Sequence, residues 1–201
     1  MQTILIGLTG GIGCGKTEVA KILEELGARI IDADAIGKQV VEEQPEVLQE
    51  IVKVFGSQFL NPDGSLKRKE LGNFVFQDEE RKKQLNDIVH PHLWKRVLCD
   101  IEEAKKQNFK LIVVDAALVY ETGLEKHFQK VIVVSAPLET RIARIRQRDG
   151  FTESEIRDRM ASQMPLEEKM RRADIVIEND GSLGRLRETT SKAFNALTGV
   201  E

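Results

Sequence analysis

Short runs of Ile, Val and Leu alternate along the chain with longer stretches whose apolar residues recur at helical spacing. That alternation is the pattern of an α/β protein built on a mostly parallel sheet. The runs Thr3–Leu8, Ala28–Ile31, Lys110–Asp115, Lys130–Ser135 and Asp174–Glu178 show almost no in-out alternation, as strands covered on both faces should. Periodicity predicts helices over Lys16–Leu26, Ile36–Glu43, Pro45–Phe55, Lys69–Phe76, Glu79–Val89, Pro91–Lys106, Leu138–Arg148 and Ser182–Leu197. The expected fold is therefore three-layer α/β with a parallel five-stranded sheet.

The interval between Ile31 and Lys110 is too long for a simple crossover, and it reads as helical apart from the turn Asn61-Pro62-Asp63-Gly64. We expect residues 32–108 to form a helical lobe for a second substrate. Residues 141–170, which include the polar stretch Arg148–Met170, are expected to form a mobile lid. Residues 1–31, 109–140 and 171–201 would make the core of a single domain. The opening Met1–Gly7 has no basic leader and reads as the first strand.

The strongest motif lies between the first strand and the first helix. Gly10-Gly11-Ile12-Gly13-Cys14-Gly15-Lys16-Thr17 satisfies G-x-x-x-x-G-K-[ST], the phosphate loop of a P-loop NTPase fold. Gly11, Gly13 and Gly15 let the backbone close round an anion, and the N–H groups of Cys14 and its neighbours end on a helix N-terminus. Lys16 is expected to bridge the β- and γ-phosphates of ATP, and the Thr17 hydroxyl to ligate Mg²⁺. No G-x-G-x-x-G frame fits, so a dinucleotide site is set aside. Cys14 at a helix N-terminus could have a lowered pKa, or it could simply be the small residue the motif tolerates.

Composition narrows the partners. Hydrophobic residues make up 41% and charged residues 31%, with a formal net charge of -3 and one Trp and one Tyr. Neither a basic excess nor a base-stacking platform is evident, so nucleic acid is not an expected partner. No apolar run approaches the roughly 18 to 20 residues that span a bilayer, and two cysteines make no disulfide framework. The expectation is a cytoplasmic protein, a monomer or weak homo-oligomer. Basic residues cluster at Arg141–Arg148 and Lys169–Arg172, where an anionic small molecule could bind.

Acids follow the apolar strands. In an extended segment Asp32 and Asp34 face one side at a strand's carboxyl end, and kinase chemistry wants one carboxylate to receive the acceptor hydroxyl's proton. Asp34 is the candidate base, yet it would equally serve as N-cap of a helix beginning at Ala35. Asp115 ends Leu111-Ile112-Val113-Val114-Asp115 and could hold Mg²⁺ like a Walker B acid, or cap the next turn. Arg141, Arg144 and Arg148 share a helix face at i, i+3 and i+7, as a phosphate clamp would, although a solvated basic face has the same spacing. His90-Pro91 sits at an expected helix junction and gains no role from the residues alone; His92 and His127 carry no signal.

Together these segments resemble the dephospho-CoA kinase family. The phosphate loop with Thr9, the Asp32-Ala33-Asp34 segment, His90-Pro91, Leu118 with Glu121, Gln147-Arg148-Asp149 and Ala173-Asp174 through Asn179-x-Gly181-Ser182 occur in the family's order over nearly the whole chain. The resemblance implies transfer of the ATP γ-phosphoryl group to the 3′-hydroxyl of dephospho-CoA. It implies Asp34, Lys16 and Arg144 as catalytic residues. Glu18, Arg148 and Asn179 join the phosphate loop in binding nucleotide, with Asn179 a candidate adenine contact. Lys38, His90, Asp115 and Glu121 join Asp34 in binding the acceptor. Lys38 stands where the family usually has His or Arg. Ala117 replaces the usual Pro and Val119 the second Leu, which affects the local loop shape, and Gly37 is a small residue that could loosen the lobe.

The rivals are another small-molecule kinase of this fold and a nucleotide-dependent switch. The switch lacks an Asn-Lys-x-Asp guanine motif. The two readings of Asp34 separate experimentally, because Asn caps helices about as well as Asp. Asp34→Asn is expected to fold and bind ATP while losing about 10² to 10⁴-fold in turnover, measured by coupled ADP release. Near-parental turnover would remove the base assignment.

Overall fold

The computed structural model describes residues 3–75 and 77–199. Five parallel strands, β1 (Ile4–Gly10), β2 (Arg29–Asp32), β3 (Leu111–Asp115), β4 (Lys130–Ser135) and β5 (Ile175–Glu178), lie in the order β2-β3-β1-β4-β5. The fold is the expected α/β class. Every residue of β3 is buried, which is why its sequence is apolar without alternation. Register pairs Asp32 with Asp115 and Leu8 with Asp115. The carboxyl ends of these strands thus put Asp115 beside the chain that enters the phosphate loop and Asp32 one strand further out.

The helices are α1 (Lys16–Glu25), α2 (Ala33–Glu43), α3 (Pro45–Phe55), α4 (Arg68–Val75), α5 (Glu79–Lys106), α6 (Leu138–Asp149), α7 (Glu153–Ala161), α8 (Leu166–Arg172) and α9 (Leu183–Thr198). α1 buries Val19, Ala20, Ile22 and Leu23, a stripe at helical spacing, and it packs beside α9. α8 packs on β4. Two compact units result, one made of the chain up to Asp32 and from Ile101 onward, the other of Ala33–Asp100. In the second unit Pro45 opens α3 at its first turn, where a missing N–H costs nothing. Asn61-Pro62-Asp63-Gly64 forms a tight turn, with Asn61 N–H on the Ser65 carbonyl at 2.8 Å. A Cβ on Gly37 would come within 2.9 Å of the tip of the Leu93 side chain.

Several expectations change. The helices predicted on either side of His90-Pro91 are one, α5, with Pro91 inside it. Proline removes one N–H and crowds the carbonyl four residues back, but Pro91 and Asp87 are both exposed, so the unbonded carbonyl can face water. α2 starts at Ala33, not after Asp34. Asp34 is therefore a first-turn acid, favoured by the helix dipole, and neither an N-cap nor a residue of an extended segment. The control Asp34→Asn then forfeits about 0.3–1 kcal/mol of dipole stabilisation, too little to unfold the protein. The end expected for the fourth helix, Phe76, and the expected strand residues Met1 and Gln2 lie outside the described residues.

The polar stretch 148–170 holds two helices that its composition did not announce. Ile156 of α7 is fully buried against Ile142 and Ile145 of α6, with Ile12, Phe151 and Met160 at the margin. Thr152 caps α7 in a reciprocal box, its hydroxyl accepting from Glu155 N–H while the Glu155 side chain accepts from Thr152 N–H. Thr152→Ala is expected to destabilise α7 by about 1 kcal/mol. Hydrogen exchange should speed up in Glu153–Ala161 while the melting temperature of the whole chain barely moves.

Candidate active site

The phosphate loop runs from the end of β1 to the start of α1. Gly13 and Gly15 have φ of +80° and +88°, the left-handed region where a side chain is strained. Space forbids a side chain as well: a Cβ on Gly13 would meet the Arg141 carbonyl at 2.8 Å, and one on Gly15 would collide with the Asn179 amide.

The carbonyls of this loop are held from outside. Arg141 Nε donates to Ile12 O at 3.0 Å, and Arg144 reaches Gly13 O and Cys14 O at 3.5 and 3.4 Å. Asn179 Nδ2 donates to Cys14 O at 2.8 Å. In a trans peptide C=O and N–H point opposite ways. Drawing the carbonyls of Ile12 and Cys14 toward these donors therefore turns the N–H groups of Gly13 and Gly15 away from them. A concave set of N–H groups backed by guanidinium charge is an anion nest. Cys14 N–H closes a turn onto Gly11 O at 3.1 Å, and Ile12 N–H is held by Gln163 Oε1 at 3.3 Å.

Lys16 opens α1 and pairs with Asp115 at the end of β3. Asp115 is buried, Lys16 is half-buried and the neighbouring Thr17 is exposed. Cys14 is buried, and loss of solvent pushes its thiol pKa up against the opposing pull of Arg141 and of hydrogen bonds. The thiol stays protonated, which favours the reading of Cys14 as the small residue of the motif.

A family profile described as dephospho-CoA kinase matches residues 4–185. The chain belongs to the dephospho-CoA kinase family. A relative named dephospho-CoA kinase from Bacillus licheniformis is 41% identical, covering 100% of each chain. One of the same name from Geobacillus kaustophilus is 40% identical over 98% of this chain and 96% of its own. A crystal structure from Thermus thermophilus superposes with a TM-score of 0.84 at 36% identity, covering 98% of each chain. A dephospho-CoA kinase from Campylobacter jejuni superposes at 0.63 with 30% identity, again over 98% of each. A shikimate kinase from Acinetobacter baumannii, 16% identical with a TM-score of 0.53, shares the fold.

Members of this family are kinases, and the residues expected to do the work fall into two groups here. Gly11, Gly13, Cys14, Gly15, Lys16, Thr17, Glu18, Asp115, Arg144 and Asn179 assemble around the phosphate loop or directly beside it. Arg148 does not: its guanidinium forks onto Asp149 at 2.9 and 2.7 Å on the exposed end of α6. Of the three arginines on one helix face, Arg141 and Arg144 meet the loop and Arg148 turns to its neighbour. Asn179 is also redirected. It is buried, one of its amide N–H groups goes to Cys14 O at 2.8 Å, and its Oδ1 accepts from Arg144 at 3.3 Å, so its side chain braces the loop where an adenine contact was expected. Asp34, Lys38 and His90 belong to the other unit. Asp34 and Lys38 are exposed on α2, and burial pushes the His90 pKa down, against Asp87, so the ring stays neutral at neutral pH.

Glu121 is engaged by Lys169, whose Nζ lies 2.8 Å from Glu121 Oε1. The basic cluster Lys169–Arg172 is not the open anion site expected of it. Lys169 is buried, Arg171 pairs with Glu168, and Arg172 pairs with Glu125 at 2.9 Å while lying over the Tyr120 ring. The sequence reading missed Lys169 and Gln163. Lys169 had a signal, because it sits three residues after Leu166 on the buried face of a short helix. Gln163 had none. At Ala117, where the family usually has Pro, the backbone carbonyl accepts from Thr9 Oγ1 at 3.0 Å and Lys169 Nζ at 2.9 Å.

Gly15→Ala combines a strained φ with a collision. We expect it to lose at least about tenfold in ATP affinity and about 1–3 kcal/mol in stability, measured by nucleotide titration and thermal melting.

Proposed function

We propose that this chain carries the γ-phosphoryl group of ATP to the 3′-hydroxyl of dephospho-CoA, producing coenzyme A and ADP. The observation that carries this reading is the nest of Gly13 and Gly15, backed by Arg141 and Arg144 and closed by the Lys16–Asp115 pair, in a chain of this family. The protein has little covalent work to do in phosphoryl transfer, so positioning and electrostatics dominate.

Lys16 leaves Asp115 to meet the β- and γ-phosphates, keeping its charge compensated throughout. Thr17 and Asp115 are the residues that would hold Mg²⁺, which when bound neutralises charge on the phosphates. Two oxygen donors suit that ion, since Mg²⁺ takes one or two protein ligands alongside substrate phosphates and water. Glu18 sits in the first turn of α1, beside the nucleotide. Arg144 offsets the charge that develops on the moving group.

Asp34 accepts the hydroxyl proton. Lys38 and His90 hold the acceptor, Lys38 as a point charge for its phosphate. Glu121 contributes through the loop it anchors. Within the lid expected over 141–170, Arg141 and Arg144 stay on the phosphate loop, and closure of the part from Arg148 outward excludes water and brings Arg148 to the nucleotide. Among the described residues, no helix is long and apolar enough to cross a membrane, and we read the enzyme as a cytoplasmic monomer or weak homo-oligomer.

ADP release from Mg-ATP with dephospho-CoA, nucleoside monophosphates or no acceptor tests the proposal. Strong stimulation by dephospho-CoA alone, with coenzyme A as product, is the expected result. Stimulation by a different acceptor would retain a kinase and discard the substrate; turnover without any acceptor would favour a switch or ATPase.

A further inference from the structure

Among the described residues Lys169 is the largest fully buried side chain, with 0% exposure. An ammonium in such a place is costly unless its donors are satisfied by close, charged or strongly polar partners. α8 packs on β4, where a leucine would serve packing alone. The position instead holds a cation with two defined partners, Ala117 O at 2.9 Å and Glu121 Oε1 at 2.8 Å.

Each partner leads to the phosphate loop. Ala117 lies two residues beyond Asp115, the partner of Lys16, and its carbonyl also accepts from Thr9, immediately before the loop. The second route starts at Glu121 Oε1, which accepts the Met164 N–H at 2.9 Å. The adjacent residue, Gln163, holds Ile12 N–H within the loop. One buried charge therefore fixes both the turn that follows Asp115 and the strap 163–164 that touches the loop.

We propose that Lys169 is a positioning residue for phosphoryl transfer: through Ala117 and Glu121 it sets the placement of Asp115 and Gln163 against the phosphate loop. The inference rests on the kinase reading above and adds to it a residue that touches neither nucleotide nor acceptor. Misplacing reacting groups by a fraction of an ångström to an ångström is enough to cost orders of magnitude in rate.

The test compares the full-length chain with Lys169→Met, Lys169→Arg, Glu121→Gln and the double variant Lys169→Met with Glu121→Gln. Lys169→Met keeps an unbranched apolar stem, one atom shorter, and removes the charged terminal donor. Its kcat is expected to fall about 10²-fold, with KM for ATP raised about tenfold and KM for dephospho-CoA within about twofold of the parent. Lys169→Arg should recover much of the loss. Glu121→Gln should shift the same parameters in the same direction, and the double variant should be no worse than Lys169→Met, as for residues acting in one network. Parental kcat and ATP affinity in folded Lys169→Met, with only a lower melting temperature, would overturn the proposal. If that variant does not fold, Glu121→Gln decides, and parental kinetics there would overturn it equally. ATP affinity, read from nucleotide-dependent thermal shift, keeps the test separate from the functional reading. A parent chain that ignores dephospho-CoA would refute the substrate but leave that comparison of affinities standing.

Discussion

The constraint on which the site depends is the orientation of a few peptide planes between β1 and α1. A glycine loop by itself can present either carbonyls or N–H groups to a ligand, and the two choices have opposite charge preference. Arg141, Arg144 and Asn179 decide between them by holding the carbonyls of Ile12, Gly13 and Cys14. Arg141 and Asn179 are buried, so neither is free to wander. The strand order puts α6 and the end of β5 where they can do this, because β4 lies next to β1 and β5 next to β4.

This arrangement changes what the basic helix means. Arginines near a phosphate loop suggest hands reaching for phosphate, yet two of them contact backbone oxygen in this structure. Their charge still adds to the positive potential behind the nest, while their hydrogen bonds keep it in shape. Charges elsewhere are also turned inward. Buried Lys169 ties α8 to Glu121, and Arg172 at the end of the same helix pairs with Glu125. Such pairs add little net stability after desolvation, but they define where loops sit.

Strands and the phosphate loop were legible in the sequence for simple reasons. Fully buried parallel strands require unbroken runs such as Leu111–Val114, and a loop that wraps an anion needs glycine at fixed spacing. Elements governed by context were not. α7 and α8 are short, and depend on Ile156 packing against Ile142 and Ile145 of the preceding helix and on Lys169 reaching Ala117 and Glu121 far along the chain. Pro91 looked like a boundary because proline usually is one; only its exposure shows why α5 continues. Asp34 kept its position but lost its capping geometry, since the helix begins one residue before it. The site residues supplied by local motif were foreseeable, whereas Asn179 and Gln163 owe their contacts to tertiary neighbours that no spacing announces.

The burial of Cys14 has a chemical corollary. The product of this family's reaction carries a thiol of its own, and disulfide exchange requires a thiolate to attack. A cysteine placed beside the nucleotide site in ionised form would be a standing invitation to form a mixed disulfide with oxidised coenzyme A. Packed out of solvent, with burial pushing its pKa up, Cys14 presents little thiolate to attack such a disulfide.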